Sequence, residues 1–148
     1  MSPDAAFSMA GTLVMPCWLL LIFAPRWSWT TRLITTVAVP ALLAVAYIYF
    51  LASGFGETDG GFGSLDEVAT LFSDPRNLLA GWLHYLAFDL LVGSWIVRDA
   101  ARVGVNHLLI VPCLVLCFLA GPVGYLLYLL LRAGIKRQIL MDPMPKKG

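Results

Sequence analysis

Four long apolar stretches, separated by short polar connections and one longer polar loop, make up most of this chain. They run from about Ala5 to Ala24, Leu33 to Ala52, Arg76 to Val97 and His107 to Leu131. Each has the roughly 20 residues that a helix needs to cross a hydrocarbon core of about 30 Å. Backbone groups cannot be left unpaired in lipid, so helices are the expected spanning structure. The pattern predicts an all-α fold, an integral membrane four-helix bundle forming a single transmembrane domain over residues 1–148.

The breaks refine this picture. Pro16 and Pro40 fall inside the first two stretches and predict proline-kinked helices, because a mid-helix proline removes a donor and crowds the preceding turn. Pro25-Arg26-Trp27-Ser28-Trp29 has the composition of an interfacial anchor. Tyr47 and Tyr49 are belt or pocket residues. The loop SGFGETDGGFGSLDEV is glycine-rich and acidic, carries no phosphate-binding signature, and leads into a short helix over Leu65–Phe72. Ser73 is the expected N-cap of the third span. Gly121-Pro122-Val123-Gly124 interrupts the fourth, predicting a kink there or, in the minority topology, a hairpin that turns back. The basic tail RAGIKRQILMDPMPKKG is expected to fray.

Composition agrees with a membrane protein. Of 148 residues, 59% are hydrophobic and 13% charged, about half the charged share of a soluble domain. Mean hydropathy is +0.81. A net charge of +1 gives no reason to expect nucleic acid. The three cysteines, Cys17, Cys113 and Cys117, lie in apolar runs without a C-x-x-C pair, so they are expected as packing residues rather than a disulfide or zinc framework. Asp4 stands where a secretory leader would carry positive charge, so the first stretch is expected to stay in the membrane. Four crossings place Arg26, Arg32, Arg98 and Arg102 on one side. Arg76, Arg132, Lys136, Arg137, Lys146 and Lys147 fall on the other, a six-to-four split that barely orients the chain. A fourth segment that turned back would bring the basic tail to the side of the other arginines.

The unusual chemistry sits in the third stretch. His84 and Asp89 lie inside its apolar run, with Trp82, Tyr85, Phe88 and Trp95 around them. An Asp at a helix centre in lipid costs about 2.5–3.5 kcal/mol on insertion scales. Asp89 falls roughly 20 Å in from Arg76, near mid-depth, and His84 roughly 12 Å in. The two are about 140° apart around the helix, so they occupy neighbouring faces that could border one cavity. Two readings stand. In one, both groups are hydrogen-bonded packing elements, Asp89 meeting a hydroxyl or a carbonyl freed by Pro16 or Pro40. In the other, a buried acid with a raised pKa exchanges a proton with a substrate. A haem or metal held by His84, Asp89 and His107 is excluded by distance, since His107 lies about 20 Å away along the bundle axis. No metal is expected. His107 is read as an interfacial cap, and Asp99 with Arg98 and Arg102 as a solvated, charged exit.

These residues carry a resemblance. Pro16, Ala24-Pro25, Ser73, Trp82, His84, Asp89-Leu90, Asp99, His107 and the Gly121–Gly124 turn are similar in kind and spacing to the abscisic-acid-deficient-four-like membrane proteins. That neoxanthin-synthase-associated family is known from plant plastids, with bacterial relatives. The W-x-H-x-x-x-x-D-L core is its most specific part. The resemblance implies a small four-helix membrane protein of carotenoid or xanthophyll metabolism. Plant members are required for converting violaxanthin to neoxanthin, an epoxide opening that yields an allene. Such an isomerisation needs an acid, a base and no redox cofactor, so no cofactor is expected. Asp89 and His84 are the acid and base candidates on residue chemistry. Trp82, Tyr85, Phe88 and Trp95 are the candidates to line a slot for a polyene end group. The expected partners are the lipid bilayer and a carotenoid-like ligand, with a second copy or another membrane protein as the further option. The alternative is a non-catalytic, pigment-binding or complex-stabilising subunit. Without a transit peptide, a bacterial inner membrane is the expected location.

Overall fold

A computed structural model describes residues 1–136. The basic tail from 137 onward, with Arg137, Lys146 and Lys147, lies outside the described residues. The described chain is helical, without strands among the described residues. Helix α1 spans Pro3–Phe23, capped by the Ser2 hydroxyl, and runs unbroken through Pro16. A π-helical segment, Thr30–Ala38, leads directly into α2, Val39–Gly54. Helix α3 is Leu65–Leu71, close to the expected short helix, with Ser64 as its cap. Helix α4, Pro75–Val103, is the longest element and touches α1, α2, the π segment and both later helices. Helices α5, His107–Leu119, and α6, Gly121–Lys136, complete the described chain.

The π segment has a local cause. Its wider turn pairs Val39 N–H with the Ile34 carbonyl, five residues back, and the Thr35 and Thr36 hydroxyls likewise bond to carbonyls five back. The next donor in that ladder would be residue 40, and proline has none. The freed Thr35 carbonyl lies 3.2 Å from Ser94 Oγ of α4, which also lies 2.7 Å from Thr35 Oγ1. The carbonyl opened by Pro40 is therefore met by Ser94 and not by Asp89.

At the opposite end, α4 caps α2. Arg76 donates to the Ser53 carbonyl at 2.7 Å and Asn77 to that of Gly54 at 3.1 Å, satisfying orphaned groups of the last turn. Asp74, rather than Ser73, is the N-cap of α4, accepting from Arg76 N–H at 2.8 Å. Hydrogen bonds from the Arg76 guanidinium hold the Asp74 carboxyl down at about 2.

Three elements are long and apolar enough to cross a membrane: Pro3–Phe23, Thr30–Gly54 and Pro75–Val103. The fourth apolar stretch is not one helix, which corrects the expected span over 107–131. Ala120 leaves helical geometry at φ −157° and ψ 76°, and Pro122 sits in the first turn of α6, where its missing donor goes unused. Helix α6 then doubles back along α5. A Cβ on Gly124 would collide with the backbone of Cys113 and Cys117, so only glycine permits that approach. In register, Gly121 meets Asp89, Tyr125 and Tyr128 meet Trp95, and Tyr128 and Arg132 meet Asp99. Helix α6 thus runs parallel to α4 and returns to the end from which α5 set out. Thirteen residues of α5 extend only about 20 Å, short of a full crossing.

The hairpin reorders the charges. Arg26, Arg32, Arg98, Arg102 and Arg132 share one end. Arg76 shares the other with the acidic loop residues Glu57, Asp59, Asp66, Glu67 and Asp74.

Candidate functional site

The site is built on the middle of α4, where three- and four-residue spacings set Trp82, Tyr85 and Asp89 in a row. Trp82 and Tyr85 stack at 5.3 Å, and Phe7 of α1 lies 5.4 Å from Trp82. Together with Phe72, Leu78 and Leu79 they line an almost wholly apolar groove of about 560 Å³ at the acidic end of the bundle. Tyr85 forms its inner limit. Its hydroxyl reaches the hairpin tip, 3.4 Å from the Phe118 carbonyl, a length well beyond the 2.7–2.8 Å mode for such bonds.

One turn deeper, the Asp89 carboxyl packs against Gly121 at the start of α6. Any Cβ there would collide with it. Oδ2 is buried and has no hydrogen-bond partner among the described residues. A helix N-terminus favours negative charge, so α6 supplies the partial positive charge that a carboxylate at this depth would need. The Cys117 thiol lies 3.7 Å from the Asp89 backbone carbonyl, consistent with its reading as a packing residue.

The other expected site residues are divided between two neighbourhoods. His84 is exposed, stacks on Phe88 at 4.5 Å, and faces Tyr47 of α2 at 5.9 Å. Phe88 is 55% exposed. Trp95 turns towards the hairpin, between Tyr125 and Tyr128. Trp82, Tyr85 and Asp89 are brought into one row, with His84 and Phe88 on an adjacent, outward face and Trp95 farther along. Phe7, Phe72 and Gly121 were not anticipated. They come from other elements, and only the chain's return at Ala120 brings Gly121 to Asp89.

Asp99 corrects the expected solvated exit. It is 4% exposed, and Arg132 is 1% exposed. Tyr128 donates to Asp99 Oδ2 at 2.6 Å, Arg132 Nε lies 2.9 Å from the same oxygen, and Arg102 donates to Oδ1 at 2.7 Å. The i, i+4 spacing of Tyr128 and Arg132 was the available signal. His107 Nε2 donates to the Ile22 carbonyl at 2.8 Å, tying the start of α5 to the last turn of α1. Among the described residues no group of three His, Cys, Asp or Glu is placed to hold a metal.

The ABA DEFICIENT 4-like family model matches residues 5–128, from the first turn of α1 to Tyr128 in the hairpin. The chain belongs to the ABA DEFICIENT 4-like family. The match takes in the aromatic groove, Asp89, Gly121 and Asp99. Protein ABA DEFICIENT 4, chloroplastic, from Arabidopsis thaliana is 28% identical over 143 residues. The alignment covers 91% of this chain and 64% of that protein, so the chain spans less than two thirds of the relative's length. A chloroplastic relative lends no support to a bacterial inner membrane. No solved structure matches the chain.

Proposed function

We propose that this membrane protein acts on a carotenoid-like polyene, seating its end ring in the groove between α1 and α4 and opening a ring epoxide by proton transfer. The observation that carries the reading is Asp89 at mid-depth, its Oδ2 buried without a hydrogen-bond partner among the described residues, one turn beyond the tyrosine that lines an apolar aromatic groove. Family membership supports the substrate class, through the carotenoid pathway that the resemblance implies.

The chemistry balances with one carboxyl group. Neutral Asp89 gives its proton to the epoxide oxygen as the ring C–O bond breaks. The carboxylate left behind removes a proton from the polyene carbon as the allene forms, restoring the acid. The product is an isomer of the substrate, with an alcohol where the epoxide was. Gly121 at the helix terminus lowers the cost of the transient carboxylate. Trp82, with Phe7 and Phe72, holds the ring, and the Tyr85 hydroxyl orients the oxygen. His84 remains the second candidate base, and Phe88 and Trp95 the further candidates to contact the chain. Because His84 faces Tyr47 and the outside of the bundle, Asp89 bears the main role. On the positive-inside rule, the arginine-rich end faces the cytoplasm or its organellar equivalent.

One observation favours binding without turnover. The residues lining the groove are almost all apolar, and Asp89 lies beyond them. Purified protein in detergent, incubated with violaxanthin, separates the readings. Formation of an isomer of unchanged mass is expected. Retention of the pigment on the protein without conversion would overturn the catalytic reading and leave the binding subunit.

A further inference from the structure

His84 stands about 12 Å in from Arg76, inside a helix long and apolar enough to cross a membrane. Its side chain is nonetheless exposed on the outside of the bundle. Ring contacts hold it, with Phe88 stacked at 4.5 Å and Tyr47 of α2 at 5.9 Å. Neither the imidazole nor the Tyr47 hydroxyl makes a hydrogen bond among the described residues. Ionisable groups inside a span almost always face the bundle interior, a water-filled cavity or one another. Here two polar groups from neighbouring helices meet on an outward patch at one depth. The rest of that patch is apolar. Phe88 is 55% exposed, and Ala44 lies exposed one turn before Tyr47. Lipid chains cover such side chains well but offer an imidazole no hydrogen bond. The patch shares no residue with the aromatic groove.

We propose that this patch is the contact between two copies of the chain in the membrane. Its chemistry is complementary to itself. A neutral imidazole carries one donor and one acceptor nitrogen, and a phenol both donates and accepts. A two-fold axis along the membrane normal keeps equal depths together and makes each contact occur twice. It sets His84 of one copy against Tyr47 of the partner subunit, and the reverse, so one pair of residue types supplies two hydrogen bonds. Side-chain hydrogen bonds of this kind join helices within membranes, and small residues let the helices approach closely. Ala44 is the small residue here. A different membrane protein would need its own donor and acceptor at this depth, whereas a second copy brings both already placed.

The test uses the full chain in phosphatidylcholine vesicles at falling protein-to-lipid ratio. Oxidative cross-linking of a single introduced cysteine reads the contact, since the native cysteines are buried. Fluorescence energy transfer between labelled copies reads the dimer dissociation constant. Ala44→Cys is expected to cross-link into a dimer. Leu42→Cys, exposed on the other side of α2 in the groove towards α1, should not. His84→Phe should weaken the dimer at least about fivefold, because two hydrogen bonds are lost together. His84→Gln, which keeps a donor and an acceptor, should retain most of the affinity. Tyr47→Phe should repeat the His84→Phe loss, and it serves alone should His84→Phe fail to fold. A protein monomeric at every ratio would overturn the proposal, as would phenylalanine variants that dimerise like the wild type. So would Leu42→Cys cross-linking as readily as Ala44→Cys, or an Ala44→Cys protein captured in native membranes by a different protein alone.

Discussion

Gly121 lies directly against the Asp89 carboxyl, so that a single added methyl at residue 121 would occupy the space of Oδ1. Thirty-two positions separate the two in the chain. Their contact exists because α6 starts at the depth where α4 carries its one mid-span acid. The expected result of Gly121→Ala is therefore a displaced hairpin tip, costing about 1–3 kcal/mol as overpacking does. Detergent unfolding measures it. Gly121→Ala combined with Asp89→Ala should recover most of the loss, because the two substitutions share one contact.

The base of the hairpin is held differently. Tyr128, Arg132 and Arg102 all converge on buried Asp99. Tyr128→Phe removes one donor and should cost about 1–3 kcal/mol. Arg132→Met removes a buried charge from its partner and should cost about 3–5 kcal/mol. Maleimide labelling of Cys113 and Cys117, both buried between α5 and its neighbours, gives a second readout. Both thiols should label slowly in the wild type and readily in Arg132→Met.

Topology can be checked without unfolding the protein. The hairpin places Gly134 at the same end of the bundle as Arg26 and opposite Ser2. Single cysteines introduced at residues 2, 26 and 134 should give matching impermeant-reagent accessibility for 26 and 134, and the reverse for 2. A fully crossing fourth segment would pair 134 with 2 instead.

The Asp74 carboxyl is a local source of acid sensitivity outside the spans. The folded Asp74 carboxyl sits at about 2 because of Arg76, below the usual value of about 3.9. A depressed carboxyl stabilises the fold above its unfolded pKa and loses that contribution as pH falls towards its folded one. Melting curves between pH 6 and 2.5 should therefore fall more steeply for the wild type than for Asp74→Asn.

The three long apolar helices and the short Leu65 helix were legible because length, apolarity and cap residues are local properties. Their ends moved by one to three residues, except that α4 runs six residues past the expected exit, to Val103, and Asp74 takes the cap expected of Ser73. The hairpin was harder to read. Gly121-Pro122 marks a break, but whether the chain bends or returns depends on what α4 offers the second half. That is settled by Gly124 against the α5 backbone and by Arg132 reaching Asp99. Asp99 looked solvated because it stands between two arginines at a helix exit. Its burial depends on Tyr128 and Arg132, about thirty residues later. Trp82, Tyr85 and Asp89 share a row that helical spacing predicts, whereas the outward turn of His84 depends on which side α2 packs.

Conversion of violaxanthin by Asp89→Asn protein separates a proton-transferring Asp89 from a packing one. Asparagine keeps the shape and removes the acid. The variant should melt like the wild type and lose at least about 100-fold in conversion rate, the low end of what general acid–base groups contribute. A folded variant converting at the wild-type rate would rule out proton transfer by Asp89, and one that simply unfolds would make Asp89 a packing group.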